Sequence, residues 1–232
     1  MLKELIKLFK KSNLYQEAHE DACEMLNRAN KMFDNASAKL RGRKVPHTDV
    51  DIFSEERKVD KTERAVRKKV LIHLSASGTK DTPGAIILIC IVIDIERVGD
   101  YTTNILELTQ SVNKPLKVGE LEEELTNIER QIENLFDVVS IAFENYDKEE
   151  AKKVINKKIT GKCETLLHKL ISGETSLDEQ TAVIAALYIR YLKRVSAHLL
   201  NIATSLVQPF ERAHFLPKSL TKKYKENKKN EK

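Results

Sequence analysis

Helix-breaking residues are scarce in this chain and fall in pairs about one long helix apart: Gly42 with Pro46, Gly78 with Pro83, Pro115 with Gly119, then Gly173 and Pro209. Gly and Pro end helices because one adopts left-handed backbone freely and the other lacks an N–H donor. A further boundary stands at Asn145-Tyr146-Asp147, where Asp147 with Glu150 reads as a helix stop followed by a capping box. These marks leave six segments of similar length, at about 14–41, 49–77, 83–112, 118–145, 148–172 and 178–208. Leu, Ile, Lys, Glu and Ala dominate them, as helices require.

One stretch argues locally for a strand. Ala85 to Ile93 is a continuous run rich in β-branched residues. Its flanks predict helix instead: Thr82 as N-cap and Pro83 at the first helical position open it, and Ile95, Val98, Thr102 and Ile105 continue it at helical spacing. The run is also far shorter than the roughly 20 residues of a membrane span.

Six helices with a break near 113–119 suggest three plus three, so an internal repeat is expected. A shift of 97 residues sets Arg97-Val98 on Arg194-Val195 and Asn104-Ile105 on Asn201-Ile202, with Gly99 over Ser196. Both stretches occupy the same place in the third helix of each unit. The expected fold is all-α: two tandem antiparallel three-helix bundles, at 1–114 and 115–212, followed by a Lys-rich tail at 213–232 read as disordered. That tail, with seven Lys and two Glu from Lys218 onward, accounts for the whole net charge of +5.

The balanced remainder excludes a nucleic-acid reading built on overall charge, and no groove-reading element is visible. Three widely spaced cysteines, Cys23, Cys90 and Cys163, have no metal or redox spacing and predict reduced thiols in the cytoplasm. Met1 to Lys11 reads as an amphipathic start rather than a signal peptide, suited to packing on the core, on a membrane protein or on a second copy of the chain.

Chemistry concentrates on the third segment. Glu96 and Asp100 are four residues apart and share a helix face, where two like charges repel unless a cation separates them. Gly99 between them costs about 1 kcal/mol relative to Ala and asks for a reason, such as close approach by another helix or a cluster. Glu56 and Asp60 repeat the spacing on the second segment, with Glu63 one turn on. Carboxylates suit hard cations. The plainer reading is a solvated face on which Arg97, Lys58 and Arg64 supply ion pairs, and spacing alone does not decide between them.

Glu96-Arg97-Val98-Gly99-Asp100-Tyr101-Thr102-Thr103-Asn104-Ile105 resembles the ERxGDxxxNI signature of the PhoU family, and Glu56-Arg57-Lys58-Val59-Asp60 resembles the acidic element of its preceding helix. With the six-helix layout, the resemblance spans roughly residues 14–210. It implies two three-helix bundles, and a regulator or adaptor of inorganic phosphate uptake and signalling that binds a phosphate transporter and a sensor histidine kinase. It also implies a metal, iron, manganese or magnesium, at Glu96, Asp100, Glu56 and Asp60, with Arg97, Gly99 and Asn104 in supporting or packing roles.

The second repeat departs from that pattern. Lys193 and Ala197 stand where the acids would be, within Lys193-Arg194-Val195-Ser196-Ala197-His198 and ahead of Asn201, and the preceding stretch Asn156 to Lys162 is basic. At most one metal site is expected, on the first bundle; His198 reads as a groove histidine near Arg194. A di-iron carboxylate protein is the rival, but its single Glu-x-x-His copy, Glu211 to His214, lies past the last helix. No phosphate loop, nucleophile elbow or redox motif is present, so the chain reads as non-enzymatic. A metal-free helical interaction module is the other alternative.

Overall fold

In the computed structural model, which describes residues 14–208 except 49 and 78–80, α1 (Leu14–Arg41) stops at Gly42 with φ +65°. Nothing but glycine fits there: a Cβ would lie 2.4 Å from Pro115 Cγ. After α2 (Ile52–Ser77), α3 (Thr82–Leu108) opens with Pro83 in its first turn; Asp81, one residue before the expected Thr82, stands at the N-cap position, but its carboxylate bonds His73 at 3.0 Å and makes no capping hydrogen bond. The β-rich run is helical throughout, as its flanks required. Its buried face, Ala85, Leu88, Ile91, Val92, Ile95 and Val98, follows the helical period.

The second unit begins with a short 3-10 turn (Gly119–Leu121) running into α4 (Glu122–Glu144). Asp147 then caps α5 (Lys148–Ile155), its Oδ1 accepting from the amides of Glu149 and Glu150 at 2.9 and 3.0 Å. The single helix expected at 148–172 is broken: α5 ends at Ile155 and α6 (Ile159–Ile171) restarts after Asn156-Lys157-Lys158. Asn is a weak helix former and two adjacent Lys repel, while Ile155 and Ile159 on either side keep their burial. Gly161 thus falls in the first turn of α6 rather than mid-helix. Asp178 caps α7 (Glu179–Val207), accepting from Thr181 N at 3.0 Å.

α1, α2 and α3 pack together, and α4 packs with α5, α6 and α7. The two groups meet along α3 against α7 and α1 against α4, and their apolar side chains form one continuous core. Ascending α3 meets descending α7: Asp94 faces His198 and Asn201, while Tyr101 faces Arg194 and Tyr191. Both seams are antiparallel, since Phe33 rests on Phe136 with ring centroids 5.3 Å apart and Arg41 reaches Glu122. Among the described residues no helix is long and apolar enough to cross a membrane. The amphipathic start, the Lys-rich tail and Glu211 to His214 lie outside the described residues.

Polar anchors fix the α1–α4 seam. Glu129 of α4, fully buried, pairs with Arg41 Nε at 3.1 Å and with Arg43, and accepts from Tyr188 Oη of α7 at 2.8 Å. Arg41 also donates to Leu116 O and reaches Glu122. Buried charges survive only when paired this fully.

Candidate functional site

The α2–α3 contact that positions the site is made by small or branched side chains. Gly99 is buried, and a Cβ added to it would meet Val59 Cγ1 at 3.5 Å, an ordinary packing distance. The glycine's neighbour is therefore the facing helix. Glu56 and Asp60 on α2, and Glu96 and Asp100 on α3, flank this contact half-buried.

The four carboxylates act on one another across the two helices. The Glu56 pKa is raised by burial, with Asp60 and Asp100 adding to it. Glu96 is raised by burial and by Asp100, Glu63 and Asp60, against Arg97. Burial likewise raises Asp100, where Arg97 and His198 oppose the rise and Asp60 adds to it. Arg97 is the local counter-ion: its Nη1 donates to Asp100 Oδ2 at 3.0 Å and its Nε lies 3.4 Å from Glu96 Oε2. Asn104 is half-buried one turn beyond. Among the described residues no three His, Cys, Asp or Glu side chains are grouped as the ligands of one ion. The donors have the chemistry of a hard-cation site, but as they lie Arg97 rather than a chelating arrangement offsets their charge.

The second repeat's divergent residues meet the first repeat's motif helix. His198 Nδ1 is 2.8 Å from Asp94 Oδ1, and Asn201 Nδ2 donates to the same oxygen at 3.0 Å. Arg194 Nε donates to Tyr101 Oη at 3.0 Å, with its guanidinium carbon 5.6 Å from that ring's centre. Lys193 Nζ donates to Glu164 at 2.7 Å, Lys162 Nζ to Gln131 at 3.0 Å, and Ala197 is half-buried beside them. Lys193, Arg194 and Lys162 thus each have a partner. The groove histidine expected at 198 is instead a seam residue, its side chain 17% exposed.

Asp94 was missed by reading the motif alone. Its signal was legible all the same: an acid inside Ile91-Val92-Ile93-Asp94-Ile95, on the buried face, requires a buried partner. The 97-residue shift also gains meaning here. Tyr101 and His198 are equivalent positions stacked on each other at 5.8 Å, and Asp94 to His198 has its counterpart in Tyr101 to Tyr191 at 6.1 Å. The repeat thus pairs with itself about an approximate two-fold axis through the α3–α7 crossing.

The model of one protein family, the PhoU domain, matches residues 16–109, which are α1 to α3 with the acidic motif. The match ends where the second repeat begins, the unit in which Lys193 and Ala197 replace the motif's acids. The PhoU-like fold nevertheless extends over both units. PhoU from Pseudomonas aeruginosa superimposes with a TM-score of 0.69 at 19% identity, over 83% of this chain and 95% of that one. The phosphate transport system regulatory protein PhoU from Streptococcus pneumoniae superimposes with a TM-score of 0.57 at 15% identity, over 89% and 95%. No curated protein sequence matches the chain.

Proposed function

We propose that this chain regulates inorganic phosphate uptake by binding other proteins, a phosphate transporter component and a sensor histidine kinase, on the cytoplasmic side, and that it does so without catalysis. The observation that carries this reading is the match of residues 16–109 to the PhoU domain model, with the acidic pair Glu96 and Asp100 present in the matched stretch. Binding and conformational coupling need only the surfaces of the two bundles and their shared core.

A hard cation, iron, manganese or magnesium, completes the reading. Glu96, Asp100, Glu56 and Asp60 would hold it, and it would supply the charge that Arg97 alone leaves short. The raised pKa values of Glu56, Glu96 and Asp100 support this: burial is the largest cause at each, and Asp60, with Asp100 at the two glutamates, adds to it. The Arg97 ion pairs favour a second reading, a metal-free interaction module.

Two measurements test these. Elemental analysis of chain purified without chelator should find about one transition metal per chain, absent from the Glu96→Ala/Asp100→Ala variant; equal content in both refutes the metal. Phosphate uptake by cells lacking the chain should be deregulated and restored by the wild type. Unaltered uptake, together with no co-purifying transporter, refutes the regulatory role.

A further inference from the structure

A cavity lies away from the acidic face, at the end of the α3–α7 seam where α3 begins and α7 finishes. It is an open apolar cleft of about 870 Å³. Ile87, Ile91 and Leu206 line its floor, and Tyr15, Phe143 and Tyr146 its aromatic wall. Volumes of this size hold sizeable apolar ligands.

The wall is built at a cost. Tyr146 adopts φ +54°, a left-handed conformation that a bulky side chain rarely takes and that glycine or asparagine normally fills after a helix. Its ring stacks on buried His19 at 4.2 Å and is nevertheless half exposed. Exposed acids adjoin the lining residues along the chain: Asp81 before Thr82, Glu20 after His19 and Glu144 after Phe143. Asp81 acts on Tyr15, and Glu20 and Glu144 act on both His19 and Cys23, helping burial push the Cys23 thiol up to about 12. Lys148 is the one Lys or Arg among the described lining residues.

We propose that this cleft is the docking site for the chain's own first eleven residues, Met1–Lys11. Three observations select that occupant. The described chain begins at Leu14, and Tyr15 is already part of the wall, so the segment is tethered at the mouth by Ser12 and Asn13 alone. Such a short tether gives an effective concentration in the millimolar range. Leu2, Leu5, Ile6 and Phe9 recur at the spacing of one helical face, matching an apolar floor. Lys3, Lys7, Lys10 and Lys11 against a single Glu4 complement those acids. Gln208, the last described residue, also lines the cleft, but Pro209 and Pro217 interrupt the sequence that follows it, and Phe210, Phe215 and Leu216 between them lack that spacing. The inference does not depend on the regulatory reading.

Photo-crosslinking in the full chain tests it. A benzophenone amino acid replaces Phe9, and products are mapped by mass spectrometry in a mixture of isotopically light and heavy chains. Same-chain crosslinks to Ile87, Leu206 or Val207 are expected. In the Leu5→Glu/Ile6→Glu variant, crosslinking to the cleft should be lost and binding of an apolar fluorescent dye should rise at least about threefold as the cleft opens. Light-to-heavy crosslinks would assign the segment to a second copy and overturn the proposal. So would same-chain crosslinks elsewhere, or unchanged dye binding in a variant with wild-type helicity.

Discussion

His198 Nδ1 lies 2.8 Å from Asp94 Oδ1, a contact between residues 104 apart that joins the third helix of one repeat to the third helix of the other. Asp94 is buried, and Asn201 donates to the same oxygen. Replacing Asp94 by Ala strands both partners at the seam. The expected loss is about 2–4 kcal/mol, read as a lower urea midpoint. Asn201→Ala, which leaves His198 in place, should cost about 1 kcal/mol. A midpoint for Asp94→Ala within experimental error of wild type would show that the seam is not held there.

At the other seam, Glu129 holds Arg41, Arg43 and the Tyr188 hydroxyl together. Glu129→Ala takes from the buried Arg41 one of its two carboxylate partners, leaving Glu122 and Leu116 O, and strands the Tyr188 hydroxyl, so it should destabilise the fold by about 3 kcal/mol. Tyr188→Phe removes one hydrogen bond to a charged acceptor and should cost about 1.5–3 kcal/mol. The two effects share a partner, so the double variant should fall short of their sum.

Three glycines separate backbone need from packing need. Gly42→Ala places a Cβ 2.4 Å from Pro115 at positive φ and should destabilise by more than about 1 kcal/mol. Gly161→Ala, with nothing within 4 Å, should stabilise by about 0.4–1 kcal/mol. Gly99→Ala meets Val59 at an ordinary 3.5 Å and should fold at least as stably as wild type. Loss of metal or partner binding in a stable Gly99→Ala protein would then assign the glycine to function. Thermal unfolding of the three variants reads all of this.

The acidic face should carry a pH signature. Burial and neighbouring carboxylates raise Glu56 in the folded state. Its favourable contribution is therefore complete below the ordinary glutamate range, near pH 4, and is lost as the pH rises through its raised folded value. Glu56→Gln should accordingly raise the unfolding midpoint at pH 7 and have no effect near pH 3.5 or below. Added manganese or magnesium should stabilise the wild type more than Glu56→Gln if the face takes a cation. An equal response of both proteins would leave Glu56 outside any such site.

The all-helical class, the outer limits of most helices and the acidic faces were legible in the chain because each rests on local chemistry. Gly42 and Gly173 terminate helices through backbone freedom that only nearby residues affect, and Asp147 and Asp178 cap helices within three residues of themselves. The i, i+4 spacing of Glu56 with Asp60 and of Glu96 with Asp100 follows from the helical period once the segments are helical. What the sequence left open was every relation between distant segments. That Gly99 faces Val59, that Asp94 needs His198, and that Arg97 turns back onto Glu96 and Asp100 depend on how helices cross and which rotamers their packing permits. The same limit hid the break at 156–158, where the apolar positions would suit a continuous helix equally well. Periodicity and capping act over a few residues and are written in the chain, whereas a buried partner across a seam is selected by the burial of both groups, which exists only once the two repeats have packed together.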